Sequence, residues 1–441
     1  MLIEKREFGI APSTSQKEKA KARFYTTEKI GIVFFALFLF AGHLKLLPQL
    51  SFIQAKVDLT VLLFVLSALL GLRNFLKSKG KGYAVEKIGK VIFGIYSLFC
   101  LWLIIGLFYT PSQVYGYMKV FRFVILTTWA TVGGFFLMRN SQSLFFFFWI
   151  IFIFSLAMTI DALIKLPTLN PYSHLSALAT SYLGVGRDLG LGIIALVFII
   201  LPKTSGRFTK VLLVLVLLMQ LFVLIRSAAR GPIIALLITI VVFALAWIYR
   251  TARIPRKLSQ LLVVLSSLLL VMLSIFLILE KYQDIIENIY LYLPIRRFNL
   301  LAEASGESFG IRKSFIFEKA PELINRSPIL GHGPGSFPIY TGMGDVRGYP
   351  HNIFVEIFVE NGLIGLLIFL TLLYFTLRYT MSTYSKYANG IQSKIILNVL
   401  LASFIFYFIN ANFSGDINDN QLLFCFIGLL AISKRFLNYE P

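Results

Sequence analysis

Long apolar runs alternate with short polar, basic connections along this chain, and that rhythm sets its architecture. A membrane-spanning helix needs about 20 mostly apolar residues. Runs of this kind fall near 30–48, 55–72, 88–109, 118–138, 143–165, 185–202, 208–226, 230–249, 258–279, 351–377, 394–411 and 420–433. The pattern predicts an all-α polytopic membrane protein of about 12 transmembrane helices, the shortest being 420–433. An even number of spans returns both termini to one side of the membrane.

Residues 280–350, between the ninth and tenth runs, are the one sizeable polar piece. Within them IRKSFIFEKAPELINRSP reads as an amphipathic helix. Ile311, Phe315, Ala320, Leu323 and Ile324 recur at helical spacing, and Pro328 stops the helix. LGHGPGSFP then supplies a glycine-rich turn. The organisation expected is a tail at 1–29, spans one to nine within 30–279, a loop at 280–350, spans ten to twelve within 351–433 and a tail at 434–441. The first thirty residues lack a short apolar core followed by a small-residue cleavage site, so they read as a retained tail and not as a signal peptide. No repeat of fixed period and no low-complexity tract occurs.

Composition excludes a soluble domain: 57% of 441 residues are hydrophobic, 15% are aromatic and the mean hydropathy is +0.79. A net charge of +21 would suit nucleic acid in a soluble protein. In a membrane protein, basic residues first hold cytoplasmic loops against anionic lipid, so no nucleic-acid partner is inferred. Most of the 42 Lys and Arg fall in segments that a cytoplasmic N-terminus places inside, including the cluster RTARIPRK at 250–257. Both termini are therefore expected in the cytoplasm and the 280–350 loop outside. Cys100 and Cys425 lie far apart within apolar runs and offer neither a disulfide framework nor a metal site.

Few polar groups stand where chemistry is possible. In HNIFVEIFVENGLIGLLIFL, from His351 to Leu370, a titratable head opens directly into an apolar helix on the outer side. An imidazole titrates near neutral pH, which suits His351 for acid/base work, with Asn352 beside it to orient the ring. The plain alternative is a polar helix cap. Arg226 and Arg230, in LIRSAARGP, interrupt apolar runs on the same side. They either snorkel to the interface or bind an anion. Gly231 and Pro232 set Arg230 at a helix N-terminus, whose unpaired amides add to an anion site. Arg312 opens the loop helix and is either a further contact or a solvated charge; His332, in the glycine turn, is a second polar candidate. Glu356 and Glu360 share one face of the tenth helix, and a buried carboxylate at Glu360 calls for a basic partner, with an arginine expected. His43 and His174 read as structural. Asp345, Asp416 and Asp419 are not spaced with other ligands as a metal site requires, so no metal and no cofactor are expected. Guanidinium groups and one imidazole at an outer lipid boundary suit an enzyme acting on a lipid-linked pyrophosphate, whose leaving group gains charge as its bond breaks.

At SAARG (227–231), GIRKSFIFEKAPELINRSPILGHGPGSF (310–337) and HNIFVEIFVENGLIGL (351–366), the sequence resembles the bacterial O-antigen ligase and O-antigen polymerase superfamily. The likeness covers about 200–377 and rests on the order and spacing of three motifs. It implies a GT-C-like, metal-independent, inverting glycosyltransferase of the bacterial inner membrane with its active site facing the periplasm. The donor implied is a glycan on undecaprenyl pyrophosphate. The acceptor is a hydroxyl of lipid A-core for a ligase, or a second lipid-linked glycan for a polymerase. The single large loop and twelve spans favour the ligase. By the same resemblance Arg230 and Arg312 bind pyrophosphate and His351 assists the acceptor. The usual Ser-Arg-Gly reads Ala-Arg-Gly here, and Arg226 lies a helical turn earlier as a rival contact. A lipid-linked sugar transporter is the remaining alternative, but such proteins show repeated halves with broken helices, and no such symmetry is visible.

Overall fold

The computed structural model describes residues 14–80, 83, 85–166, 174–251, 314–388 and 390–437. Its long helices are α1 (Thr14–Leu39), α2 (Leu59–Lys77), α3 (Lys87–Gly106), α4 (Tyr115–Leu137), α5 (Ser141–Lys165), α6 (Tyr182–Lys203), α7 (Arg207–Arg226) and α8 (Arg230–Thr251), followed by α9 (Ile353–Tyr387), α10 (Ile391–Ala411) and α11 (Gln421–Ala431). No strand occurs among the described residues beyond an isolated Ala177–Thr180 bridge. Eight of these helices, α2 to α7, α9 and α10, are long and apolar enough to cross a membrane, which makes the chain a multi-pass helical membrane protein. The expected ninth span, 258–279, and the adjoining loop through Lys313, which includes Arg312, lie outside the described residues.

Helix ends differ from the hydropathy reading where a specific group intervenes. The first apolar run reaches residue 48, but α1 stops at Leu39, because Phe40 leaves helical geometry at φ −103°, ψ 8° and a short turn, Ala41–Leu44, follows. Asp58 starts α2 by accepting from the Thr60 N–H at 2.7 Å. Asn352 starts α9 in the same way, accepting from Phe354 and Val355 at 3.0 and 3.1 Å. The tenth run is not one continuous helix: Gly362 sits at φ 64°, ψ −169° and breaks α9.

That break is filled by the loop ahead of α9. The N–H groups of His332 and Gly333 donate to the carbonyls of Val359 and Glu360 at 3.0 and 2.8 Å, and Leu363 N–H donates to Pro328 O at 2.9 Å. Trp102 Nε1 of α3 donates to Asn361 O at 3.0 Å. Backbone polar groups freed at membrane depth are thus satisfied within the protein. The loop helix Ala320–Arg326 follows a wide turn at Phe315–Lys319 and buries Ala320 and Leu323 against Phe337 and Val359.

The shortest run becomes α11, with 11 residues. At 1.5 Å per residue that is about 16 Å, half a bilayer's hydrocarbon thickness of about 30 Å. Its side chains from Leu422 to Ala431 are all buried, with α4, α10, α9 and α3 around it. A helix enclosed by protein need not span lipid, so the chain that leads into it, Asn412–Asn420, lies recessed in the bundle. Gly428 lets α11 approach the Thr131 carbonyl of α4 at a separation no side chain would allow.

Candidate functional site

The C-terminal end of α1, the N-terminal ends of α2, α4, α6 and α11, and the loop ahead of α9 meet at one end of the bundle. They enclose a cavity of about 840 Å³. Its wall carries the cations Lys45, Arg122, Arg187 and Arg347, the imidazole of His43, and the acids Asp58, Asp188 and Asp419. The acids are matched one to one. Lys45 stands 3.9 Å from Asp58, His43 Nδ1 is 2.7 Å from Asp188 Oδ2, and Arg347 pairs with Asp419. Arg122 and Arg187 are in no ion pair among the described residues. Arg187 Nη2 donates to Ser414 O at 2.5 Å, and its buried Nε makes no hydrogen bond among the described residues. The wall therefore has a surplus of guanidinium charge and open donors, the requirements of an anion site.

Arg122 immediately precedes a wide turn of α4 at Phe123–Thr127, a local widening that recurs at functional sites. On the lipid side of α4 an apolar groove of about 490 Å³ runs along Ile104, Leu107 and Tyr117, and it shares Met118, Phe121 and Ile125 with the cavity wall.

Beneath the cavity lies a buried charge cluster. Lys119 Nζ is 2.6 Å from Glu356 Oε1 and 2.6 Å from Glu360 Oε2, all three side chains being almost fully enclosed. Lys119, and not an arginine, is thus the basic partner of Glu360. Glu356 Oε1 also accepts from Ile417 N–H at 3.2 Å, and Asp416 Oδ2 accepts from the Tyr115 hydroxyl at 2.9 Å and from Arg347 Nε at 3.3 Å. Burial alone would raise the Asp416 carboxyl, but the Arg347 and Lys119 charges outweigh it and hold the group below the ordinary range. Asp419 goes the other way, raised by burial and by the neighbouring Asp416 charge. Tyr349, on the cavity wall, is pushed up to about 12 by burial and then by Asp419.

None of the sequence-predicted site residues lines this cavity among the described residues, and His351 and Arg230 come near its wall through neighbours. His351 takes the left-handed conformation at φ 62°, and its ring stands 4.7 Å from that of Tyr349 on the wall. Asn352 Nδ2 donates to Asn412 Oδ1 at 3.2 Å. Arg230 begins α8 after a tight turn at Ala228, φ 55°. The next residue, Gly231, abuts Phe413, where an added Cβ would lie 3.1 Å from the ring-bearing carbon. Asn352, Gly231 and Arg187 thus all touch the short stretch Asn412–Ser414, which brings the His351 and Arg230 ends of their helices to one place. Arg226, at the end of α7, is fully enclosed. His332 lies apart, its Nε2 2.8 Å from Leu323 O, tying the glycine turn to the loop helix. His174 stacks on Tyr182 at 4.2 Å. His43, read from sequence as structural, lines the cavity.

Arg122, Arg187, Arg347 and Lys119 were not singled out by the sequence reading. A signal existed for three of them: Lys119, Arg122 and Arg187 fall inside apolar runs, in YMKVFRF and GVGRDLG, and ionisable groups at membrane depth mark functional sites by default. Arg347 carried no such signal, since its loop is polar throughout.

The fold and this site define a multi-pass helical membrane protein with a cationic cavity at one end of the bundle. Residues 213–370 match the family model described as O-antigen ligase, a match that supports membership of the O-antigen ligase superfamily. That match supports O-antigen ligase or polymerase type activity in general, with lipid-linked glycans and membrane acceptors as the class of partner. Among curated proteins none matches the chain.

Proposed function

We propose that the protein is an O-antigen ligase, transferring a glycan from undecaprenyl pyrophosphate to a hydroxyl of lipid A-core on the periplasmic face of the bacterial inner membrane. In this reading the chain crosses about twelve times in a GT-C-like arrangement, with both termini cytoplasmic and the 280–350 loop periplasmic. The observation that carries it is the continuity of the apolar groove on α4 with the arginine-lined cavity. A ligand filling both has a hydrocarbon tail and a polyanionic head, which describes a lipid-linked diphosphate.

The guanidinium groups of Arg122 and Arg187, with Arg230 at the N-terminus of α8, neutralise the diphosphate as the anomeric bond breaks. Donors of this kind are worth about 3–4 kcal/mol each in the transition state. Arg226 and Arg312 are further candidates for the same anion. His351 takes the proton from the acceptor hydroxyl, whose oxygen attacks the anomeric carbon from the opposite face and inverts it. Asn352 fixes the start of α9, and Glu356 fixes the recessed stretch through Ile417.

A polymerase would use the same donor site with a second lipid-linked glycan as acceptor. Purified protein in liposomes, given donor together with lipid A-core and lipid-linked glycan as competing acceptors, separates the two. Extension of lipid A-core is expected. Extension of the lipid-linked glycan alone would make the protein a polymerase, and intact donor after incubation with both acceptors would overturn the transferase reading.

A further inference from the structure

We infer that His43, aligned by Asp188, is a second functional imidazole of the cavity and donates a hydrogen bond from Nε2 to the departing diphosphate. This rests on the donor reading above. His43 lies in the turn that follows α1, with its side chain 25% exposed at the cavity wall, whereas Asp188 on α6 is 3% exposed. Asp188 Oδ2 approaches Nδ1 to 2.7 Å as an ion pair, without hydrogen-bond alignment, and leaves Nε2 as the other edge of the ring. A carboxylate on one ring nitrogen fixes the orientation and protonation of the other, as it does for histidines that act on ligands elsewhere.

The surroundings favour an anion at that edge. Nε2 lies beside Gly184, itself a lining residue, where an added Cβ would overlap Thr180 Oγ1 and lie 3.1 Å from the nitrogen. A glycine there leaves room for both the Thr180 hydroxyl and the ring edge. The charged and titratable groups facing His43 across the cavity are Lys45 and Asp58 between α1 and α2, Arg122 on α4, Arg187 beside Asp188 on α6, Arg347 and Tyr349 in the loop, Tyr407 on α10, and Asp419 ahead of α11. The acids among them are each matched to a base, and Arg122 and Arg187 remain in excess. A purely structural interhelical clamp would have no need of unmatched guanidinium groups on the wall it shares.

The step balances without a net proton from His43. The bond between the anomeric carbon and the diphosphate oxygen breaks with its electron pair staying on that oxygen. The acceptor oxygen forms the new bond and its proton passes to His351 and on to water. His43 Nε2–H donates a hydrogen bond that strengthens as charge grows on the leaving oxygen, and Asp188 is a positioning residue.

The test uses full-length protein in lipid nanodiscs, with undecaprenyl pyrophosphate as the probe and thermal midpoints recorded alongside. Expected at pH 6 is binding at least about tenfold weaker in His43→Gln than in wild type, with His43→Lys close to wild type. Wild-type binding should weaken between pH 6 and pH 8 more than that of His43→Lys, because the diphosphate's own titration is common to both. Asp188→Asn should move the wild-type pH dependence to lower pH. Wild-type affinity and pH profile in His43→Gln, or a lowered thermal midpoint with unchanged binding by the folded protein, would overturn the role of His43 alone. Failure of the wild-type protein to bind the probe would overturn the donor reading and this inference together.

Discussion

Asp345 accepts a hydrogen bond from Ser112 Oγ at 2.5 Å, and the same carboxylate accepts from the backbone N–H groups of Gln113, Val114 and Tyr115 at 2.9, 2.8 and 3.1 Å. The loop ahead of α9 thereby caps the first turn of α4 from 230 residues away in sequence. Because α4 carries Lys119 and Arg122, the cap sets the position of both the buried cluster and a cavity arginine. A carboxylate at a helix N-terminus is favoured by the free amides and by the helix dipole.

Asp345 gives the first prediction, which concerns acid stability. Burial alone would raise its pKa, but the Ser112 hydroxyl and the three backbone N–H groups outweigh it and depress the carboxyl below its ordinary 3.8. A group depressed in the folded state stabilises fully above its unfolded value and loses that contribution as pH falls through the folded one. Asp345→Ala should therefore lower stability by about 1 kcal/mol near neutral pH. The gap from wild type should close as pH drops below 3.8. Thermal midpoints of the two proteins across pH 3 to 7 check this, and a constant gap would show that the carboxylate charge is irrelevant to the cap.

Lys119 supports the second. Its removal leaves Glu356 and Glu360 enclosed without a counter-charge, and breaking a buried pair in this way costs about 3–5 kcal/mol. Lys119→Met should sharply lower the thermal midpoint in detergent. The triple variant that also carries Glu356→Gln and Glu360→Gln should regain most of the loss, since no uncompensated charge then remains. If Lys119→Met alone melts like wild type, the cluster does not hold α4 to α9.

Hydropathy made the helical skeleton legible because desolvating about 20 apolar residues overrides local preferences. What it could not convey is enclosure. The run that became α11 looks like a short span, and only packing shows that it is enclosed by other helices. The break in α9 was hidden for a related reason: Asn361-Gly362 sits in an apolar run, and the partners of the opened backbone come from Pro328–Gly333, thirty residues away in sequence. Of the proposed site, His351 and Arg230 were readable as polar heads of apolar helices. Arg187 was masked by the adjacent Asp188, with which it reads as a self-compensating pair, whereas in space Asp188 turns to His43 and Arg187 to Ser414.

Gly362 provides a third prediction. At φ 64°, ψ −169° its conformation is almost exclusive to glycine, and an added Cβ would overlap the Ile329 carbonyl. Gly362→Ala should expel the Pro328–Gly333 segment from the break at a cost of about 1–3 kcal/mol. Trypsin should then cut faster after Arg326, which is exposed at the end of the loop helix. An unchanged digestion rate would mean that α9 accommodates the substitution without releasing the loop.

The last prediction separates the two faces from which arginines reach the proposed diphosphate. A guanidinium holds phosphate through a planar fork that an ammonium cannot reproduce, so lysine at a true contact loses turnover while keeping charge. Arg230→Lys and Arg187→Lys should each lower kcat by about 10²–10³, the usual loss of a transition-state donor. The two differ in what else they disturb. Arg187 also donates to Ser414 O, so its replacement loosens Asn412–Ser414 and should reduce thermal stability as well. Arg230 opens α8 and is partly exposed, and its lysine variant keeps a positive charge at that helix end, so the loss expected there is one of kcat. Turnover by purified protein with donor and acceptor in liposomes, read beside thermal midpoints, distinguishes these outcomes. Near-normal kcat in Arg230→Lys with a dead Arg187→Lys would move the diphosphate away from the α8 end and onto the wall formed by α4 and α6.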